Sequence, residues 1–188
     1  MSRWQPNARG RLEEAALDLY TERGFDDATV AEIAERAGLT ERTFFRHFAD
    51  KREVLFGGQD ALLELFVSGV VDAPATLSAI DAVGAALMAA APIFDGRHTQ
   101  ARRRQAVIAA NPRLQERELI KLASISAAIA EALGRRGIAE SAAKLAAEAG
   151  VAIFKVAFER WVGGGQRDRL PHYIQESLDE LKAMATGR

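Results

Sequence analysis

The chain has 188 residues, no cysteine and a formal net charge of −1. That length suits one domain or a small module joined to a larger one, and it can bury a core without a disulfide or metal staple. The missing cysteines exclude thiolate metal sites and cysteine nucleophiles, and the balanced charge excludes a polycation that coats nucleic acid indiscriminately.

An apolar share of 48% with both signs of charge interspersed argues against disorder. The uncharged run between Asp81 and Asp95 is too short for a membrane span. Near the start, Arg3, Arg9 and Arg11 stand among Glu13 and Glu14 with no apolar run beside them. No signal peptide is expected, and the cytoplasm is the expected location.

The apolar residues recur every three to four positions and never alternate, so the fold is read as all-α. A first helix should start after Asn7 as N-cap, run along Ala8, Leu12, Ala16, Leu19 and Tyr20, and stop at Gly24. Thr29, with Glu32 three residues on, has capping-box spacing and opens a second helix. Gly38 permits a left-handed turn, Leu39 plugs the corner, and Thr40 caps a third helix with Phe44 and Phe48 on its buried face. Asp50 and Glu53 repeat the capping-box spacing before one long helix carrying Val54, Leu55, Leu62, Leu65 and Phe66, which ends at Asp72-Ala-Pro74. Beyond it, helices are expected near residues 76–91, 99–109, 112–136, 139–162 and 168–185, with Pro171 tolerated in the first turn of the last.

Helix, glycine turn, helix is the pattern of a helix-turn-helix, whose second helix lies in the DNA major groove. Its outward positions here are Glu41, Arg42, Thr43, Arg46 and His47. Arg42 suits bidentate contact with guanine, and Thr43 suits a phosphate or a thymine methyl. From Arg36 to Arg52, five Lys or Arg face only Glu41 and Asp50, so the reading segment is locally basic.

Residues 7–56 resemble the N-terminal DNA-binding domain of the TetR family of transcriptional regulators. The resemblance is carried by Glu22-Arg23-Gly24-Phe25, by Thr29 to Gly38, by Leu39-Thr40, by Phe44-Phe45-Arg46-His47-Phe48 and by Asp50-Lys51. It implies a DNA-binding domain over residues 1–56 and a helical ligand-binding and dimerisation domain over 57–188. It also implies a homodimer on a pseudo-palindromic operator, most often a repressor, with a small-molecule effector that shifts the spacing of the two reading heads. By position, Thr29 and Thr40 would cap helices and contact phosphate, Arg42 and Thr43 would read or clamp DNA, and His47 and Lys51 would meet phosphate. Phe45 stands where the family commonly has Tyr, and it lacks the hydroxyl that would bond a phosphate. Arg46 reads either as a further DNA contact or as a solvated surface residue.

Other features admit a plain structural reading beside a functional one. Arg102-Arg103-Arg104 is a solvated helix start or a salt-bridged face, or it meets an acidic ligand or the DNA-binding head. Phe66, Met88, Phe94, Phe154, Phe158 and Trp161 are candidates for a ligand cavity, although Phe154, Phe158 and Trp161 form one helical stripe that suits a core or interface equally. The small residues of 139–162 and the stripe Leu170, Ile174, Leu178, Leu181 and Ala185 suggest that the last two helices form the homodimer interface. His98 and His172 have no second ligand at helical spacing, so no metal and no cofactor are expected. No glycine-rich nucleotide loop or nucleophile elbow is present, which disfavours an all-α enzyme. An interaction protein with a degenerate helix-turn-helix remains as an alternative, for which Glu41 and Phe45 are the hints.

Overall fold

A computed structural model describes residues 7–165 and 169–187. Ten α-helices and one 3-10 turn, with no strand among the described residues, make the fold all-α as expected: α1 Ala8–Arg23, α2 Val30–Arg36, α3 Glu41–His47, α4 Glu53–Phe56, α5 Gln59–Asp72, α6 Ala79–Ala90, the 3-10 turn Ala91–Phe94, α7 His98–Ala109, α8 Pro112–Arg135, α9 Glu140–Gly163 and α10 Leu170–Ala185. Residue 168, the expected start of the last helix, lies outside the described residues.

The chain divides into two compact units. The first joins residues 7–58 to Arg103–Glu118, a segment more than forty positions further along. Its core contains Leu12, Leu19, Ile33, Phe44, Phe48 and Phe56, completed by Val107, Ile108 and Leu114. A fully buried Leu or Phe contributes about 1.5–3 kcal/mol, so three apolar side chains of that kind matter to so small a unit.

The second unit comprises Gln59–Arg102 and the described residues from Leu119 onward. α5, α6, α9 and α10 pack around Phe66, Val70, Val83, Leu87, Ile153 and Ile174. Of the stripe read in sequence as a dimer face, Leu170, Ile174 and Leu178 are buried in this unit's own core, Leu181 packs partly buried against it and Ala185 is exposed. Arg136 ties the end of the α8 region to α5 by donating to the carbonyls of Val70, Ala73 and Pro74.

The expected long helix from Asp50 to Asp72 is broken. Regular α-helix stops at Phe56 and resumes at Gln59, because Gly57 and Gly58 interrupt the hydrogen-bond ladder and the Gly57 carbonyl accepts from Arg9. Leu65 points outward, at 39% exposure, rather than into the core. Glu53–Asp72 is apolar and long enough to cross a membrane by length and composition alone, but Leu62, Phe66 and Val70 are spent on the protein core.

Close approach of α5 and α6 depends on Gly69. A Cβ there would lie 2.8 Å from Ala86 Cβ and 2.9 Å from Ala86 Cα, and backbone cannot yield as a flexible side chain can. Gly69→Ala should therefore cost about 1–3 kcal/mol despite raising helix propensity. Calorimetry should show Tm lowered by roughly 3–10 °C, and an unchanged or raised Tm would contradict this packing.

Candidate functional site

The reading head is built from caps. Thr29 Oγ1 accepts from Glu32 N at 3.2 Å while Glu32 Oε2 accepts from Thr29 N at 2.9 Å, the full capping box. The hydroxyl also donates to Glu32 Oε2 at 2.8 Å, so its proton is spent inside the box. These bonds, from the Thr29 backbone first, hold the Glu32 carboxyl below its ordinary pKa. Gly38 takes φ +63°, the left-handed conformation a tight turn between helices requires. Thr40 Oγ1 then accepts from Thr43 N at 3.2 Å and starts α3.

Asp50 accepts from Arg52 N at 2.7 Å and Glu53 N at 3.1 Å, as a capping residue should. The Glu53 carboxylate, through Oε1, takes Nε and Nη2 of Arg117 at 2.9 and 2.6 Å. Burial opposes ionisation of Asp50 most strongly, yet the Arg52 guanidinium and the two backbone N–H groups outweigh it and hold the carboxyl below its usual range.

α3 is fixed by Phe44 and Phe48, both buried, with ring centroids 5.5 Å apart. Its outward face carries Arg42, Phe45 and Arg46, all exposed, with Thr43 half-buried. Phe45 is 54% exposed, its ring edge-on to Phe44 at 5.4 Å. His47 Nε2 is enclosed without a hydrogen-bond partner. Lys51 Nζ donates to the carbonyls of Phe25, Asp26 and Ala28 at 2.8–2.9 Å and lies 4.6 Å from the Phe25 ring centroid. All three ammonium hydrogens thus close the loop before α2.

The other cations of the head are mostly neutralised. Arg23 pairs with Glu32 at 2.8 Å, Arg36 with Glu22 at 2.7 Å and Arg52 with Asp50 at 2.6 Å. Of the five basic residues from Arg36 to Arg52, Arg36 and Arg52 meet carboxylates and Lys51 is turned inward onto three backbone carbonyls, which leaves Arg42 and Arg46 exposed without a carboxylate among the described residues. The basic segment read from sequence contracts to two arginines on the outward face of α3.

Sequence reasoning missed the segment 103–118. Arg103 pairs with Asp18 at 2.5 Å, and Arg104 donates to the Leu55 carbonyl at 2.6 Å and to Glu118 at 3.2 Å while lying over the Phe56 ring. Burial pushes the Arg104 pKa down, with Glu118 opposing. Asn111 caps α8, accepting from Arg113 N and Leu114 N, and its amide donates to Asp26 at 3.1 Å. Two members of the arginine run therefore hold the head, one of the readings its sequence left open. The Asn111-Pro112 pair was the available signal, since it has the form of an N-cap followed by a first-turn proline.

In the second unit, Phe66, Phe94, Phe154, Phe158 and Trp161 are linked by ring contacts of 5.4–6.0 Å. Met88 is half-buried at the margin of the same core. A cavity of about 390 Å³ opens beside this cluster, and of the six candidate pocket residues only Phe94 and Trp161 line it, with Asp95, His98, Thr99 and Arg169. Arg169 bonds Asp95 at 2.6 Å, but with side chains 69% and 48% exposed the pair is worth at most about 1 kcal/mol.

Residues 12–57 match the family described as bacterial regulatory proteins, tetR family, and residues 77–186 match the MftR C-terminal domain. The chain belongs to the TetR family of transcriptional regulators. It is 29% identical over 125 residues to MftR of Mycobacterium tuberculosis, named as a regulator of mycofactocin biosynthesis, covering 66% of this chain and 63% of that protein. It is 37% identical over 81 residues to the regulator TcmR of Streptomyces glaucescens, covering 43% of this chain and 36% of TcmR. The matched stretches thus span less than two thirds of these relatives' own lengths. The solved SmeT–triclosan complex has the same fold, with a TM-score of 0.65 at 19% identity over 95% of this chain and 90% of that one.

The TetR-family head makes a direct stability test possible at Lys51. Lys51→Met keeps an apolar stem against Phe25 but leaves three carbonyls short of a donor, and should cost about 1–3 kcal/mol. A urea midpoint equal to that of the unsubstituted chain would show the clamp to be idle.

Proposed function

We propose that the protein is a ligand-responsive transcriptional regulator, most simply a cytoplasmic repressor that leaves its operator when a small molecule binds. Residues 1–56 form the DNA-binding domain, buttressed by Arg103–Glu118, and the rest of 57–188 forms the ligand-binding and dimerisation domain. The observation that carries this reading is the outward face of α3, where Arg42 and Arg46 are exposed and unneutralised while neighbouring cations are paired. Arg42 near the start of the helix reads a base edge, Thr43 and Thr40 clamp backbone, and Arg46 meets phosphate. Phe45 offers apolar contact to a thymine methyl or sugar in place of a phosphate bond. Thr29 and Lys51 serve the site chiefly by holding α2 and its preceding loop, and His47 contacts DNA through Nδ1.

Two copies bind a pseudo-palindromic operator as a homodimer through α9 and α10. Because Leu170, Ile174 and Leu178 of the α10 stripe are buried within the protomer, the face offered to a partner is the α9 row Leu145, Ala149, Ala152 and Val156, at spacings of four, three and four, with Met184 exposed near the end of α10. Light scattering at micromolar concentration should give a dimer. Leu145→Glu combined with Val156→Glu should yield a folded monomer, and a monomeric parent chain would refute the arrangement.

Binding to the intergenic DNA beside its own gene, followed by anisotropy across a salt series, tests the function itself. Arg42→Ala should weaken specific binding by about 10–100-fold, and Arg46→Ala should reduce the salt slope by about one per head. Specific binding that survives Arg42→Ala and Thr43→Ala unchanged would remove these residues from the reading surface.

A further inference from the structure

The cavity beside Phe94 and Trp161 has a chemistry of its own, and its assignment as a ligand site rests on the effector-binding role proposed for the second unit. Its volume of about 390 Å³ falls within the range of small-molecule sites, roughly 300–1,000 Å³. One wall is aromatic and continues inward from Phe94 and Trp161 to Phe158 and Phe154. Trp161 is only 4% exposed, with the His98 ring perpendicular to it at 5.0 Å and Phe94 and Phe158 at 5.9 and 5.5 Å. A cation–π cage needs open ring faces, and this wall does not offer the indole face. A flat aromatic ligand can instead extend the perpendicular ring packing already present among Phe94, His98 and Trp161.

The polar groups point to the same sign of ligand. Arg169 stands at the rim with more than half of its side chain in water, bonded to Asp95. Asp95 takes a single N–H, on Nη2 of Arg169, so a carboxylate placed against the aromatic wall can replace it and engage the guanidinium through two. His98 Nε2 is 2.9 Å from the Trp161 carbonyl, and a carbonyl only accepts, so Nε2 is the donor there. Nδ1 is then an acceptor in the neutral ring and a second donor in the charged one. Thr99 adds a hydroxyl to the lining.

We propose that this cavity binds a flat aromatic anion, its ring against Phe94 and Trp161 and its carboxylate on Arg169 in place of Asp95. Asp95 is thus an internal competitor that keeps Arg169 occupied until the ligand arrives. This gives the two partners opposite signs. Loss of Arg169 removes the anion's anchor, whereas loss of Asp95 frees it.

Calorimetric titration of the full chain without DNA, using 2-naphthoate, naphthalene-2-methanol and decanoate, tests the assignment. One 2-naphthoate per chain should bind, with the neutral alcohol and the aliphatic anion each at least tenfold weaker. Arg169→Ala should weaken 2-naphthoate at least tenfold, Arg169→Lys should fall between, and Asp95→Ala should tighten it severalfold. The Arg169 side chain is mostly in water and that of Asp95 about half so, so the variants should fold, and circular dichroism checks that they do. Equal weakening by Asp95→Ala and Arg169→Ala would make the pair a mere strut and overturn the proposal. So would equal binding of the alcohol, or tighter binding of decanoate. Operator affinity is read separately: 2-naphthoate binding without operator release supports the site and overturns only the effector reading.

Discussion

The reading head depends on a hydrophobic core that its own fifty-odd residues do not complete. α1 to α4 bury Leu12, Leu19, Ile33, Phe44 and Phe56, and Val107, Ile108 and Leu114 enter the same core from a distant part of the chain. Small units are marginal because most of their surface stays in water, so a few added apolar side chains decide whether the fold holds. The added segment also brings polar anchors that fix its register. Asn111 on Asp26, Arg103 on Asp18, Arg104 on the Leu55 carbonyl and Arg117 on Glu53 touch the head at α1, at the loop after it and at α4. Apolar contact supplies the stability, and the directional bonds select one seating from several that apolar contact alone would allow.

A second constraint comes from charge. A head with nearly equal numbers of acidic and basic residues can present a positive face only if its cations are allocated unequally. Arg23, Arg36 and Arg52 are used up against Glu32, Glu22 and Asp50, and Lys51 is drawn onto three carbonyls. Each of those pairs is exposed and adds little stability. Their effect is on the pattern of charge, since they leave Arg42 and Arg46 as the uncompensated charges of that segment. Ion pairing that contributes little to folding thus concentrates the field on α3.

Legibility in sequence tracked the range of the interaction. Caps at Asn7, Thr29 and Thr40, the turn at Gly38 and the buried pair Phe44 and Phe48 are settled within four residues, so spacing alone disclosed them. The break at Gly57-Gly58 was missed because the apolar period runs through it, while a contact from Arg9, almost fifty residues earlier, takes up the freed carbonyl. Glu53 had capping-box spacing, which does not disclose that its carboxylate takes Arg117. The α10 stripe was legible as an apolar face, but periodicity does not say whether the neighbour is the same chain or another. In the same way, five of the six aromatic and Met candidates do cluster, whereas the cavity opens at one end of the cluster where Asp95 and Arg169, far apart in sequence, meet.

The balanced charge and the sparse arginines together bear on what kind of DNA binder such a head can be. Nonspecific affinity comes from counterion release and scales with the number of phosphates neutralised. With two uncompensated side chains on α3, a head has few contacts of that kind, so a random sequence gains little from it. On the function proposed above, specific affinity would come instead from pre-organisation: α3 is capped at Thr40, pinned by Phe44 and Phe48, and carried on a core closed by residues from 107 to 114. Rigidity lowers the entropy lost on docking, and it helps only where the base edges match. On the function proposed above, such a head would discriminate by shape and by a small number of well-placed bonds rather than by the strength of its field.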